Sequence, residues 1–258
     1  MPVRSFLRYQ LQNSLRQLPA SADLLATAVG VTTDTVKGHL TEFEQIRQSA
    51  VLRLAQTCKT EADALRGKRV LFLGDSLTAD EIGYRVFVGE AAALAARNAA
   101  ISGATSSSLL PSCRHRIFSA SSPTPEIISV MLGTNDAVCL EREDMPLVSL
   151  GEYLRNMRQI LCWAQKTGAR VLLFAIPSVL EAQFCAHEAA SGKRQTNANI
   201  ARYNEGLVAL ARELGIPLIS RDEPILDPMC FEKDGLHWNV EGQTRFAARW
   251  LRAAADLK

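Results

Sequence analysis

The chain has 258 residues, 47% of them hydrophobic and 22% charged, with a formal net charge of +2. Those proportions are ordinary for a globular protein and leave room for one large domain, or a medium domain and a small one. A charge so close to zero announces neither a nucleic-acid nor a membrane partner, and no apolar run reaches the ~20 residues that cross a bilayer. The N-terminus carries arginines (Arg4, Arg8) where a secretory leader would have its apolar core, so no signal peptide is expected. Six cysteines, at positions 58, 113, 139, 162, 185 and 230, are scattered without any Cys-x-x-Cys pair. That spacing predicts neither a zinc site nor a disulfide framework, and reduced thiols in a cytoplasmic protein are the simplest account.

Residues 1–66 have helical periodicity and no strand. Phe6, Leu7, Leu11, Leu15 and Leu18 recur at three- and four-residue steps, which predicts an amphipathic helix over 3–18, ended by Pro19. A second helix is expected over about 21–28, closed by Gly30 in the left-handed region. Thr32 is placed to cap a third over about 33–44, and another is expected over about 43–58, continuing towards Arg66. Leu25, Ala26, Val29, Gly30, Val36 and Leu40 have the spacing of a helix-turn-helix: Ala26 permits close approach, Gly30 makes the turn and Val36 packs the pair. The segment resembles one helix-turn-helix subdomain of AraC-type regulators, and its core is similar to a LuxR-type reader. AraC-type regulators use two such subdomains, and one is found here. The outward residues of the would-be reading helix include Asp34 and Glu42 against Lys37, a poor surface for phosphates. Packing on the rest of the chain, or on a second copy as a homodimer, is therefore favoured over DNA binding.

From Lys68 onward strands alternate with helices. Strands are expected at 69–73, 98–101, 126–131, 170–174 and 217–220, and helices within 80–97, partly over 106–118, and over 147–167, 197–214 and 240–257. Short apolar strands joined by helical crossovers imply a five-stranded parallel sheet covered on both faces, a three-layer αβα sandwich with right-handed connections. Gly67-Lys68 is the expected boundary between a small all-α module (1–66) and this larger domain (67–258). The longest irregular stretches, about 136–146 and 177–196, would emerge at the carboxyl edge of the sheet and could shape a pocket.

The first strand, Val70-Leu71-Phe72-Leu73, runs directly into Gly74-Asp75-Ser76. A serine at the carboxyl end of such a strand sits where open α/β sheets place their ligands, and it could equally cap the next helix. An activated serine needs a base, a group that orients the base, and donors for an oxyanion. Of the four histidines, His237 alone follows an acid in an obvious turn, Asp234-Gly235-Leu236-His237. Two further strand-to-turn segments can offer donors: the Gly103 amide after 98–101, and the Asn135 side chain in Gly133-Thr134-Asn135-Asp136.

Gly-Asp-Ser-Leu, the Gly103 turn, Gly-Thr-Asn-Asp and Asp-Gly-Leu-His resemble, in identity, order and spacing, the blocks of the GDSL or SGNH hydrolases. The resemblance covers about 68–258. It implies a flavodoxin-like fold and a serine esterase or acylhydrolase. It further implies Ser76 as nucleophile, His237 as base and Asp234 as its orienter. The Ser76 amide, Gly103 and Asn135 would then form the oxyanion hole, with no metal or organic cofactor. Members of that family act on lipid esters, thioesters and acetylated sugars, or transfer acyl groups, so an acyltransferase stays open. So does a DNA-binding regulator whose hydrolase-like domain senses a ligand. Trp238 takes the place of a smaller residue or proline often seen after that histidine; it would wall the acyl pocket or pack under the last helix.

Overall fold

The computed structural model describes residues 3–10, 21–118, 124–141, 145–219 and 227–257. Within them, the main strands are β1 (Arg69–Gly74), β2 (Ala95–Asn98), β3 (Ile127–Met131), β5 (Arg170–Phe174) and β7 (Leu218–Ile219), with apolar runs at the centre of β1, β3 and β5. They pair in the order β2-β1-β3-β5-β7, every neighbour parallel. A second ribbon of two residues per strand pairs β4 (Cys139–Leu140) antiparallel to β6 (Lys193–Arg194).

Successive strand residues point to opposite faces, and the two cores follow that alternation. Val70, Phe72, Ile127, Met131, Leu172 and Phe174 belong to one buried cluster. Leu71, Leu73, Ile128, Val130, Val171 and Leu173 belong to the other. The second face is covered by α8 (Leu150–Lys166) and α10 (Asn197–Leu214); α8 buries Tyr153, Met157, Ile160, Leu161 and Ala164, the apolar stripe of an amphipathic helix. The first face is covered by α6 (Tyr84–Ala91) and α11 (Val240–Ala255), with Trp250 and Phe246 fully or nearly fully buried.

The N-terminal helices lie outside α6 and α11 and share their core. A short turn, α1 (Val3–Ser5), continues as a π-helix over Phe6–Gln10. The rest of the expected helix, 11–18, lies outside the described residues. Ser21 caps α2 (Ala22–Val29), and Gly30 closes it with φ 70°. Thr32 caps α3, which runs unbroken over Thr33–Thr57 rather than as two helices meeting near residue 43. α4 (Lys59–Leu65) follows. Leu7, Leu25, Val36, Phe43, Leu54 and Leu65 join the same buried cluster as Trp250 and Leu251, and Arg53 of α3 pairs with Glu241 of α11. Among the described residues no helix is long and apolar enough to cross a membrane. None of the six cysteines is joined in a disulfide.

Other elements also differ from the sequence expectation. β2 begins at Ala95 and ends where the strand was expected to start, at Asn98. Its residues are exposed or half-buried, as befits an edge, while Ala99 and Ala100 just beyond it are buried. The stronger apolar signal thus belonged to the turn. The β4–β6 ribbon and α9 (Glu181–His187) fall inside stretches read as irregular.

Candidate active site

β1 delivers Ser76 to the carboxyl edge of the sheet through a crowded turn. A Cβ on Gly74 would stand 2.4 Å from Thr78 Oγ1 and 2.5 Å from the Met131 carbonyl oxygen, so only glycine allows β1 to close on β3 there. Asp75, rather than Ser76, caps the one-turn helix α5 (Ser76–Ala79), its side chain accepting from the Leu77 amide at 3.1 Å. Ser76 is the first residue of that helix, so its amide has no partner within the helix, and its hydroxyl is not spent on capping.

That hydroxyl meets His237: Ser76 Oγ lies 2.8 Å from Nε2. His237 Nδ1 lies 2.6 Å from Asp234 Oδ2, while Asp234 Oδ1 accepts the Leu236 and His237 amides, each at 2.9 Å. Asp234 is therefore fixed within its own turn. Gly235 has φ 70°, and a Cβ there would approach the Leu180 carbonyl oxygen to 2.7 Å. Burial works against the Asp234 charge, but the hydrogen bond and charge of His237 outweigh it and hold the carboxyl down at about 2. An ionised carboxylate only accepts, so Nδ1 carries the proton and Nε2 is left to accept from the Ser76 hydroxyl.

Gly103 and Asn135 stand at the ends of neighbouring turns, and a network outside the sequence reading locks those turns together. Asn135 Nδ2 donates to the Ala104 carbonyl at 2.9 Å. Asp136 accepts the Ser106 amide at 2.9 Å and its hydroxyl at 2.5 Å. Burial pushes Asp136 up to about 6 against those bonds, and burial likewise pushes Asp75 up to about 6. Asp136 stood in the Gly-Thr-Asn-Asp block, but nothing in one sequence shows that it joins this turn to the one after Gly103.

All five expected residues, Ser76, Gly103, Asn135, Asp234 and His237, line a single cavity of about 240 Å³. The two long stretches complete it: Val138 and Leu147 come from one, and Phe184, Glu188 and Lys193 from the other. The β4–β6 ribbon joins them. Trp238 is fully buried with its ring 4.8 Å from Phe246, under the last helix and away from the cavity. Among the described residues no cluster of three or more His, Cys, Asp or Glu could hold a metal ion. His115 and His187 do not line the cavity.

Two neighbours of His237 come from the far end of the chain. The Tyr9 ring packs on the imidazole with centroids 4.5 Å apart and planes 35° from parallel. Arg8 is buried and donates from Nη2 to Asp80 at 2.7 Å and to the Trp238 carbonyl at 3.3 Å. No motif announced either residue.

Comparison with known proteins agrees with this arrangement of strands. Residues 72–245 match the family described as GDSL-like Lipase/Acylhydrolase. LAE5, an alpha/beta hydrolase enzyme from the metagenome of Lake Arreo, superposes with TM-score 0.56 at 21% identity, over 75% of this chain and 97% of that one. A catalytic mutant of Axe2, an acetylxylan esterase from Geobacillus stearothermophilus, gives 0.57 at 20% identity, over 75% and 96%. A GDSL-like lipase from Bacteroides thetaiotaomicron gives 0.54 at 23% identity, over 79% and 98%. At such identities the likeness is one of fold. No curated protein sequence matches the chain. The family match spans well over half of the 258 residues, and on that ground the chain belongs to the GDSL-like lipase/acylhydrolase family and is a serine hydrolase.

Proposed function

We propose that the protein is an esterase that cleaves a carboxylic ester, or a thioester, through an acyl-enzyme on Ser76. The observation that carries this reading is the continuous chain from Asp234 Oδ2 to His237 Nδ1, 2.6 Å, and from His237 Nε2 to Ser76 Oγ, 2.8 Å, opening on the cavity. As Ser76 Oγ attacks the ester carbonyl, Nε2 takes its proton, and the imidazolium so formed lies against the Asp234 carboxylate. Negative charge then develops on the former carbonyl oxygen. The Ser76 amide, the Gly103 amide and the second Asn135 Nδ2 hydrogen are the donors for it. His237 returns the proton to the leaving alcohol. Water, deprotonated by the same nitrogen, releases the acid and restores the serine. The chemistry calls for no metal or organic cofactor.

The cavity is smaller than the ~300–1,000 Å³ pockets that enclose drug-sized ligands, and its walls combine Val138, Leu147, Phe184 and Leu236 with Glu188 and Lys193. That suits a short acyl group on a small alcohol or sugar better than a buried fatty chain. The N-terminal helices serve as a packing element rather than a DNA reader. Their Arg4, Arg47 and Arg53 are engaged with Glu42, with Glu44 and Glu90, and with Glu241.

A fluorophosphonate should label Ser76 covalently, and Ser76→Ala should abolish labelling together with hydrolysis of p-nitrophenyl acetate and butyrate. Hydrolysis of the palmitate should be slower than of either short ester. Label on another serine, or full activity in Ser76→Ala, would sink the assignment.

A further inference from the structure

Residues 1–71 lie outside the family match, yet two of them touch the candidate machinery. Arg8 is 3% exposed, and its guanidinium spans two loops. On one side it grips Asp80, Nε to Oδ1 at 3.1 Å and Nη2 to Oδ2 at 2.7 Å. Asp80 closes the one-turn helix that begins at Ser76, its amide donating to the Ser76 carbonyl at 3.1 Å. It is itself fully buried, accepting also from the Ile82 amide at 3.1 Å and from Gln243 Nε2 at 3.3 Å. On the other side Arg8 donates through Nη1 to Glu232 and through Nη2 to the Trp238 carbonyl, 3.3 Å away. Glu232 and Trp238 bracket His237 in sequence, and the Glu232 amide donates to the His237 carbonyl at 2.8 Å. One planar fork therefore fixes the serine loop relative to the histidine loop, a geometry a lysine cannot reproduce.

The next residue completes the contact. The Tyr9 ring stacks on the His237 imidazole at 4.5 Å, and the Arg8 guanidinium carbon stands 4.9 Å from the centre of that ring. The Tyr9 hydroxyl is buried with no hydrogen-bond partner among the described residues, so its oxygen holds nothing in place. What Tyr9 contributes is its ring face. An imidazole held by hydrogen bonds at both nitrogens can still tilt about the line joining them, and a ring packed on its face restrains that tilt. An aromatic face also favours the imidazolium over the neutral ring as the proton arrives.

We propose that the N-terminal segment is part of the active site: Tyr9 is a positioning residue for His237, and Arg8 ties the loop bearing Ser76 to the loop bearing His237. The inference rests on reading His237 as the base. It assigns catalytic weight to a segment that the family's shared region does not contain.

The test compares Tyr9→Phe, Tyr9→Leu and Arg8→Lys in the full chain with p-nitrophenyl acetate, alongside fluorophosphonate labelling of Ser76. Tyr9→Leu fills most of the space without an aromatic face, and kcat should fall about tenfold with KM within about twofold of wild type. Tyr9→Phe keeps the face and should stay within about twofold on both constants. Arg8→Lys keeps the charge but not the fork and should lower kcat as Tyr9→Leu does, which preserves the test should the leucine variant not fold. A Tyr9→Leu enzyme with wild-type kcat and normal Ser76 labelling would overturn the inference alone. So would a loss confined to KM, or an equal loss in Tyr9→Phe. Absence of label on Ser76 in the wild type would instead overturn the serine reading itself, and this inference with it.

Discussion

Asn135 has two amide hydrogens, and the Ala104 carbonyl takes one of them. The other has no partner among the described residues, and in the mechanism proposed above it meets the oxyanion without any reorganisation, the condition under which such a donor acts most strongly. Asn135→Ala should therefore fold normally and lose roughly 10²–10³-fold in kcat with little change in KM, as read from steady-state kinetics. The buried carboxylates lead to a prediction on stability. Asp75 and Asp136 are both held at about 6 by burial, above the ~4 expected of an unfolded aspartate. Between those values the native state holds more protons than the unfolded state, so each group favours folding less as pH rises from 4 to 6. Asp234 has the opposite sign. Held at about 2, it stabilises the fold above pH ~4 and loses that contribution as pH falls towards 2. Asp75→Asn removes one destabilising charge and leaves an amide beside the Thr134 hydroxyl, which already interacts with Asp75. Thermal unfolding of that variant should show a gain of up to about 3 kcal/mol at pH 7 and little at pH 4. Equal shifts at both pH values would show that Asp75 is not the titrating group.

At the scale of elements, what was legible was what is local. β5 and α10 match their expected bounds because a run of apolar residues and a Thr-capped amphipathic stretch each carry a complete signal. The five candidate site residues were legible for a related reason. Each sits in a short block where a strand or loop ends beside a glycine, and the blocks follow in chain order. β4 and β6 gave no such signal, since two residues cannot show a period. Their pairing spans more than fifty residues of sequence and ties the two long stretches into one wall. α3 was expected as two helices meeting near residue 43, but it runs unbroken over Thr33–Thr57, and its buried Val36, Phe43, Ala50 and Leu54 join the same core as α6 and α11.

At the scale of the molecule, the layered sheet was legible from alternation alone, whereas its strand order and the seat of the N-terminal helices were not. Those helices bury Val36, Phe43 and Leu54 in the same core as Trp250, and their arginines face glutamates of their own chain. Such a surface has few cations left for phosphates. The full-length protein should therefore show no salt-sensitive, sub-micromolar DNA binding in a gel shift, and a discrete shifted band would reverse this. The bridge from Arg8 to Glu232 spans nearly the whole chain, and synthesis on the ribosome runs from one end of that span to the other. At ~5–20 residues per second, roughly 10–45 s separate the emergence of Arg8 from that of its second partner. During that interval Arg8 can meet Asp80, but the half of its fork that reaches Glu232 and the Trp238 carbonyl has nothing to hold. Under the reading proposed above, the loop bearing Ser76 and the loop bearing His237 can be fixed to one another only after residues 232–238 have been made.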